Sequence, residues 1–249
     1  YGELFLSEED KYPEKALICF SGSDGGIELA RTLAGVFQSQ GLTTLAYVME
    51  GLPKQFSKVP IDSLEAAAKR LHDMGYKKVG LWGISKGAEL ALLAGSLLLG
   101  LVNAVIAVAP MNIVCQGFAK EKGISFVPGS SWSFHGEEVP YSSYGMEKFP
   151  LGHILWKSLR IRDVTMYDLY LPLVQNPDPA AVIQVEKITG PVLLISSKMD
   201  NMWPSELAAK QITKRLQEHN FPYFYQHLSY DYGEHMFVPM EFGQTKLFK

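Results

Sequence analysis

The stretch "VGLWGISKGAELALLAG", from Val79 to Gly95, decides the fold of this 249-residue chain. Its first part is apolar, as in a buried strand, and its second part has the composition of a helix. Between them lies Gly83-Ile84-Ser85-Lys86-Gly87. Small residues on both sides of such a turn let the two backbones approach closely. This pattern, G-x-S-x-G, predicts a nucleophile elbow that lifts Ser85 above the edge of a sheet. An ordinary strand-to-helix connection is the alternative.

The rest of the chain alternates strands and helices. The apolar runs predicted as strands are Ala16–Phe20, Thr43–Val48, Val79–Trp82, Ala104–Ala109, Pro191–Ser196 and Phe224–Leu228. Helical periodicity follows most of these runs, for example in the segment that begins near Pro204. Strands separated by helices predict an α/β fold, with a mostly parallel central sheet flanked by helices. Ligands of such sheets bind beyond the carboxyl ends of the strands, so polar residues that directly follow a strand are the candidate site.

Residues 111–189 interrupt this alternation. The segment is rich in glycine, proline, serine and aromatic residues, with only a short helical pattern near Ile154 to Leu159. It is too long for a plain connector. We therefore predict one α/β-hydrolase domain over residues 1–249, with residues 111–189 as a cap insertion over the active face.

A serine nucleophile requires a base to take its proton and an acid to orient that base. In α/β-hydrolases these residues follow one another in the order Ser, Asp or Glu, His. Asp200 follows a predicted strand, and Pro204 places the next helix too late for Asp200 to cap it well. His235 follows the last strand in a glycine-containing loop, whereas His227 lies inside that strand and is expected to be structural. The sequence thus predicts a Ser85–Asp200–His235 triad.

The same chemistry needs two backbone N–H groups for the oxyanion. One is predicted to be that of Lys86, which follows the nucleophile. The other is expected in the loop Gly22–Gly25, from Ser23 or alternatively from Asp24. The Asp24 side chain is also a candidate substrate-binding group, although its position favours a role in capping the following helix.

Composition excludes several classes of function. The net charge of −3 shows no basic excess, so no nucleic-acid partner is expected. No His/Cys cluster has metal-ligand spacing, so neither a metal nor another cofactor is expected. Cys19 and Cys115 are expected to be buried free thiols. The sequence contains no stretch of 18 apolar residues, so no membrane-spanning helix is predicted. A cytoplasmic location is expected, with a removed leader left open because the chain begins with Tyr1. The oligomeric state is left open.

Several stretches resemble one known family over about Leu4 to Pro239. They are the elbow "GLWGISKGAELAL", the loop "FSGSDGG", the cap fragment "GEEVPYSSY" and the acid loop "PVLLISSKMDNMWPSELAAKQITKRL". Together they resemble the catalytic domain of the acyl-CoA thioesterase / bile acid-CoA:amino acid N-acyltransferase family. The resemblance implies that Tyr47, in "LAYVMEGLP", and Trp203, in the acid loop, lie at the substrate pocket. Animal members carry an N-terminal β-sandwich domain, which we expect this chain to lack because its first strand is expected at about Gly2.

The resemblance implies that the elbow residue separates two reactions, because family members that transfer acyl groups to amino acids use Cys and the thioesterases use Ser. An oxyester on Ser85 reacts less readily with amines than a thioester does, which favours water as acceptor. We therefore expect hydrolysis of a small-molecule acyl thioester such as an acyl-CoA. The alternatives are a carboxylesterase or dienelactone-hydrolase-like enzyme acting on small oxoesters, an acyl-CoA:amino acid N-acyltransferase, and a catalytically silent binding module. Lys54, Lys58 and Lys86 could bind phosphates of coenzyme A, or be solvated lysines.

Overall fold

The computed structural model describes residues 1–49, 55–119, 125–145, 150–162 and 165–236. The strands are β1 (Gly2–Phe5), β2 (Lys15–Phe20), β3 (Thr43–Tyr47), β4 (Gln55–Phe56), β5 (Val59–Pro60), β6 (Lys78–Ile84), β7 (Ala104–Val108), β8 (Gln116–Ala119), β9 (Ser125–Ser130), β10 (Trp132–Phe134), β11 (Glu137–Glu138), β12 (Val192–Ser197) and β13 (Tyr225–Tyr230). The helices are α1 (Ile27–Ser39), α2 (Asp62–Asp73), α3 (Lys86–Leu97), α4 (Leu151–Ile161), α5 (Tyr167–Gln175) and α6 (Ser205–Glu218). Within these ranges no helix is long and apolar enough to cross a membrane.

Seven strands form one sheet in the order β1-β3-β2-β6-β7-β12-β13. Neighbouring strands from β3 to β13 run parallel, and β1 pairs antiparallel with β3 at the edge. The predicted mostly parallel sheet is confirmed. Because the strands are parallel, the carboxyl ends of β2, β6, β12 and β13 lie along one edge, where such sheets bind ligands.

Both faces of the sheet are covered by helices. Side chains of a strand alternate between faces. Accordingly, Ile18 and Phe20 of β2 pack in one cluster with α2, α3 and α6, whereas Leu17 and Cys19 pack with α1. The continuous apolar run of β2 is therefore explained by burial on both faces. Cys19 and Cys115 are buried free cysteines, as predicted, and burial raises the pKa of both thiols.

The elbow strand extends further than its sequence suggests. The predicted end was Trp82, but Gly83 and Ile84 still pair with Ala107 and Val108 of β7. Glycine is depleted in strands because it adds no side-chain packing, so its presence marked the turn too early. The strand consequently ends directly at Ser85, which leaves no connecting loop between β6 and α3.

The predicted cap segment, residues 111–189, contains more regular structure than the sequence indicates. The short helical pattern belongs to the longer α4, and β8 to β11 and α5 are additional. Pro172 lies inside α5 and weakens its helical pattern because proline lacks a backbone donor. Strands β8 and β10 pair with β4 and β5, which lie far before the segment in the chain. Local patterning cannot reveal such long-range pairs.

The two glycines of the elbow are required by close backbone contacts. A Cβ added at Gly83 would lie 2.2 Å from the carbonyl oxygen of Gly87, and one at Gly87 would lie 2.1 Å from that of Ser21. Real Cβ atoms do not approach backbone oxygens this closely. The elbow therefore brings β6, α3 and the end of β2 together at distances that only glycine permits.

We expect Gly87→Ala to lower the free energy of unfolding by at least about 1–3 kcal/mol, the usual effect of overpacking a well-packed interior. Gly35→Ala is the matched control, because Gly35 also lies in a helix but has nothing within 4 Å of its added Cβ. There alanine should stabilise the protein by about 0.5–1 kcal/mol. Urea unfolding of both variants measures the difference, and a shift of the same sign in both would contradict this account.

Candidate active site

Ser85 occupies the turn between β6 and α3 in an unusual backbone conformation. Its φ of 57° and ψ of −122° lie in a region that residues other than glycine rarely adopt. Its backbone N–H donates to the carbonyl of Val108 at 2.9 Å, which fixes the turn on the neighbouring strand. In the first turn of α3, the N–H groups of Ala88 and Glu89 donate to the carbonyl of Ser85 at 2.9 and 3.2 Å. The Lys86 N–H lies at the very start of this helix, where an N–H group has no acceptor within the helix, and its role as an oxyanion donor stays a prediction.

The predicted base contacts the predicted nucleophile. His235 follows β13, and its Nε2 lies 2.7 Å from Ser85 Oγ. Its Nδ1 lies 2.9 Å and 3.0 Å from the two carboxylate oxygens of Asp200. Because the Asp200 carboxylate accepts a hydrogen bond from Nδ1, the neutral ring carries its hydrogen on Nδ1. The lone pair of Nε2 then faces Ser85. The structure brings the three residues of the predicted triad into one hydrogen-bonded line.

The Asp200 carboxylate is buried and held by its own loop. It accepts hydrogen bonds from the Ser205 hydroxyl at 2.5 Å and from the N–H groups of Met202 and Trp203 at 3.0 and 3.2 Å. Pro204 is the N-cap of α6, so Asp200 does not cap that helix. The carboxylate thus orders the loop and faces His235, and the role of Asp200 in a triad stays a prediction.

His227 has a structural position, as predicted. It lies in β13, where Nε2 is 2.7 Å from Ser196 Oγ and 3.4 Å from the Glu206 carboxylate. Burial lowers the pKa of His227 and so favours its neutral form. No contact between His227 and Ser85 occurs among the described side chains.

A cavity of about 90 Å³ lies beside Ser85. Apart from Ser23, Ser85 and Lys86, its lining consists of aromatic residues and methionines: Phe118, Phe126, Tyr144, Met166, Tyr170, Met202 and Trp203. Trp203 packs edge-on against both His235 and Tyr170 with 5.3 Å between ring centroids, and its indole N–H donates to the carbonyl of Ala109. Trp203 thus lines the cavity and packs against the ring of His235, and its role in substrate binding stays a prediction.

Most of the residues that line this cavity could not be identified from the sequence. Phe126 and Tyr144 stack with 4.2 Å between their centroids, and Tyr144 packs edge-on against Tyr170. All three belong to the cap segment, where aromatic residues are frequent and no periodicity indicates which of them face the site. The aromatic content of the segment was the available signal, but it did not distinguish individual residues.

The loop after β2 lies against the nucleophile. Ser23 lines the cavity, and a Cβ added at the preceding Gly22 would lie 3.2 Å from the Cβ of Ser85. Glycine at this position lets the loop backbone approach the serine closely. The location expected for a second oxyanion donor is therefore next to Ser85, and the role of the Ser23 N–H stays a prediction.

Two residues named as substrate-binding candidates, Asp24 and Tyr47, contact other parts of the protein. The exposed Asp24 carboxylate accepts the N–H of Gly26, the N-cap residue of α1, at 3.1 Å. It therefore supports the turn into the helix, in agreement with the capping role that the sequence favours for Asp24. Tyr47 is buried in the core, with its hydroxyl 2.6 Å from Ser63 Oγ and its ring edge-on to Phe20. Neither residue is among the described lining of the cavity.

Lys86 is not a solvated lysine or a free phosphate ligand. Its ammonium is buried and donates to the equally buried Glu89 carboxylate at 2.6 Å. Glu89 also accepts the indole N–H of Trp132 at 2.8 Å and the backbone N–H of Cys115 at 3.2 Å. The ion pair therefore connects α3 to the cap segment. Lys58 is exposed and lies 3.5 Å from the Glu138 carboxylate, and Lys54 lies outside the described residues.

One side-chain cluster away from the cavity contains three groups that could bind a cation. Asp62, Glu65 and His135 bring one potential ligand atom each within 4.8 Å of one another. These groups already contact each other or neighbouring residues: Asp62 accepts the backbone N–H of His135, and Glu65 pairs with Lys69 at 2.7 Å. The cluster contains no residue of the predicted triad.

The sequence of this chain matches a protein-family model. Residues 65–242, well over half of the chain, match the model of the family described as "BAAT / Acyl-CoA thioester hydrolase C terminal". The chain belongs to the BAAT / acyl-CoA thioester hydrolase C-terminal family. The resemblance stated from the sequence is confirmed, and the matched residues include Ser85, Asp200 and His235.

Curated relatives of this BAAT / acyl-CoA thioester hydrolase chain are thioesterases by name. It is 29% identical to mouse acyl-coenzyme A thioesterase 5 over 83% of this chain and 45% of that protein. It is 27% identical to human acyl-coenzyme A thioesterase 1, over 88% and 48% respectively. Mouse peroxisomal succinyl-coenzyme A thioesterase is 28% identical over 83% and 45%. The chain thus spans about half the length of these relatives.

Solved structures similar to this family member share its fold. A candidate dienelactone hydrolase from Klebsiella pneumoniae has a TM-score of 0.58 at 13% identity, covering 95% of this chain and 81% of that one. An α/β-hydrolase from a Medee basin deep-sea metagenome library has a TM-score of 0.52 at 17% identity, covering 98% and 81%. At these identities the similarity concerns the fold alone, and the predicted α/β-hydrolase fold is confirmed.

Proposed function

We propose that this chain hydrolyses acyl thioesters of coenzyme A through an acyl-enzyme intermediate on Ser85. The observation that carries the proposal is the 2.7 Å between Ser85 Oγ and His235 Nε2, at the elbow of a family whose curated relatives are named as acyl-CoA thioesterases. The apolar lining of the adjacent cavity suits an acyl chain.

Acylation uses the hydrogen-bonded line of three residues. Ser85 Oγ attacks the thioester carbonyl carbon as its proton passes to His235 Nε2, and Asp200 holds the ring and stabilises the resulting imidazolium. The negative charge moves to the carbonyl oxygen, where the N–H groups of Lys86 and Ser23 are the proposed donors. The C–S bond then breaks, and the sulfur receives the proton from Nε2 and leaves as the free thiol of coenzyme A.

Deacylation repeats these steps with water. A water molecule loses a proton to His235 Nε2 as its oxygen attacks the ester carbonyl, and this proton returns to Ser85 Oγ as the C–O bond breaks. The product is a carboxylic acid. Because the intermediate is an oxyester, amines react with it less readily than with a thioester, which supports hydrolysis over acyl transfer to an amino acid.

The choice between hydrolysis and transfer is tested by product analysis. With an acyl-CoA substrate and millimolar glycine or taurine, we expect free acid as the main product, together with one free thiol per turnover. Ser85→Cys is the informative variant, because its thioester intermediate should lower hydrolysis and raise the amide fraction. Mass spectrometry of the products and thiol titration measure both quantities.

Other product patterns point to the alternative functions. A mixture rich in acyl-amino acid from the unmodified chain would establish the acyltransferase instead. Hydrolysis of p-nitrophenyl acetate without turnover of any acyl-CoA would establish an esterase that acts on small oxoesters.

A further inference from the structure

A second cavity, of about 220 Å³, lies between α4 and the start of α5. We call it the cap groove, and its described lining residues are Pro150, His153, Ile154, Lys157, Thr165, Met166, Asp168 and Leu169. Its surface is mainly apolar. The charged side chains of its lining pair with each other, since the Asp168 carboxylate lies 2.5 Å from Lys157 Nζ and 3.4 Å from His153 Nε2. These charged groups are therefore paired within the lining, and the rest of the groove surface is apolar.

Met166 lies beside both the cap groove and the cavity next to Ser85. Among the described residues it is the one that lines both. Its backbone is fixed to the acid loop, because its N–H and the hydroxyl of Thr165 both donate to the carbonyl of Asn201, at 3.2 and 2.9 Å. Asn201 directly follows Asp200. The position of the Met166 backbone is therefore tied to the acid loop of the site.

We propose that the Met166 side chain forms a wall between these two spaces and so sets the length of the acyl chain. The cap groove then continues the acyl site on the far side of this side chain. The inference rests on the proposed thioesterase function. A cavity of about 90 Å³ is small beside the 300–1,000 Å³ or so of common ligand pockets, so the native chain acts on short acyl groups. Removal of the Met166 side chain would join the cavity to the groove and more than triple the volume open to the acyl chain.

The lining of the two spaces supports one continuous acyl site. Phe126, Tyr144 and Tyr170 surround the inner cavity, and Ile154, Leu169 and Pro150 continue an apolar surface on the far side of Met166. An extra methylene that a closed hydrophobic pocket cannot admit lowers kcat/KM by about tenfold or more. A methylene that gains an apolar surface raises it by a factor of about four.

The test compares kcat/KM for butyryl-CoA and octanoyl-CoA. The native chain should prefer butyryl-CoA, and Met166→Ala should raise the octanoyl-to-butyryl ratio by tenfold or more. Two control variants enlarge one space each. Met202→Ala removes a methionine side chain that lines the inner cavity alone, and Ile154→Ala removes a side chain that lines the groove alone. Both controls should change the ratio far less, and Met166→Leu, which conserves volume, should keep the native ratio. Urea unfolding establishes that each variant is folded.

The same ratio is measured with p-nitrophenyl butyrate and octanoate, which carry the same acyl chains without coenzyme A. Turnover of these esters alone overturns the proposed thioesterase function but still reads out the chain-length limit. The inference is overturned if the native chain accepts octanoyl and butyryl groups equally, or if folded Met166→Ala keeps the native ratio. It is also overturned if Met202→Ala matches Met166→Ala. Failure to hydrolyse either series overturns both proposals.

Discussion

Replacement of Ser85 by alanine is expected to lower kcat by about 10⁶-fold and to abolish covalent labelling by a fluorophosphonate. The magnitude is that found when the nucleophile of a serine hydrolase triad is removed. The structural reason is that, among the described hydroxyl groups, the one that His235 Nε2 contacts is that of Ser85. Intact-protein mass spectrometry should show one added label on the native chain and none on Ser85→Ala.

Two outcomes would contradict the assignment of Ser85. The first is labelling that persists in Ser85→Ala, because it would place the reactive hydroxyl elsewhere. The second is a loss of activity of only tenfold, which is too small for the loss of a covalent nucleophile. Unfolding by urea should be little changed, since the variant retains the turn and the hydrogen bond from the backbone N–H of residue 85.

Replacement of His235 by alanine should have an effect of similar size, because Ser85 and its base act as a unit. The reactivity of Ser85 towards the fluorophosphonate should fall as well, since the variant lacks the imidazole that takes the Ser85 proton. Steady-state kinetics and the rate of labelling measure the two effects separately.

His227→Ala is the matched control for His235→Ala. His227 contacts Ser196 and Glu206 in the sheet, so its loss should lower stability while kcat and the labelling rate change little. If the two histidine variants exchange severity, His227 is the base and the assignment of His235 is wrong.

The positions of the candidate triad could be predicted from the sequence because topology alone determines them. Ser85, Asp200 and His235 each follow a parallel strand whose carboxyl end lies at the same edge of the sheet. Recognition of three short apolar runs and of their order was sufficient to place all three residues together.

Side-chain directions were less predictable. The sequence does not show that Lys86 turns into the interior to meet Glu89, because that pair depends on Trp132 and Cys115 from the distant cap segment. Tyr47 is the last residue of β3, whose carboxyl end lies at the same edge of the sheet as the candidate site. Its hydroxyl nevertheless points to Ser63 in the core. Both outcomes are set by packing between segments that are far apart in sequence.

The conformation of Ser85 has a consequence for the evolution of stability in this fold. A residue with a side chain at φ 57° and ψ −122° raises the energy of the native state by about 1–3 kcal/mol. Domains are typically stable by only about 5–15 kcal/mol. Selection for stability alone would favour glycine at this position, where the strain vanishes. A serine at this turn therefore carries a cost in stability that glycine would not carry.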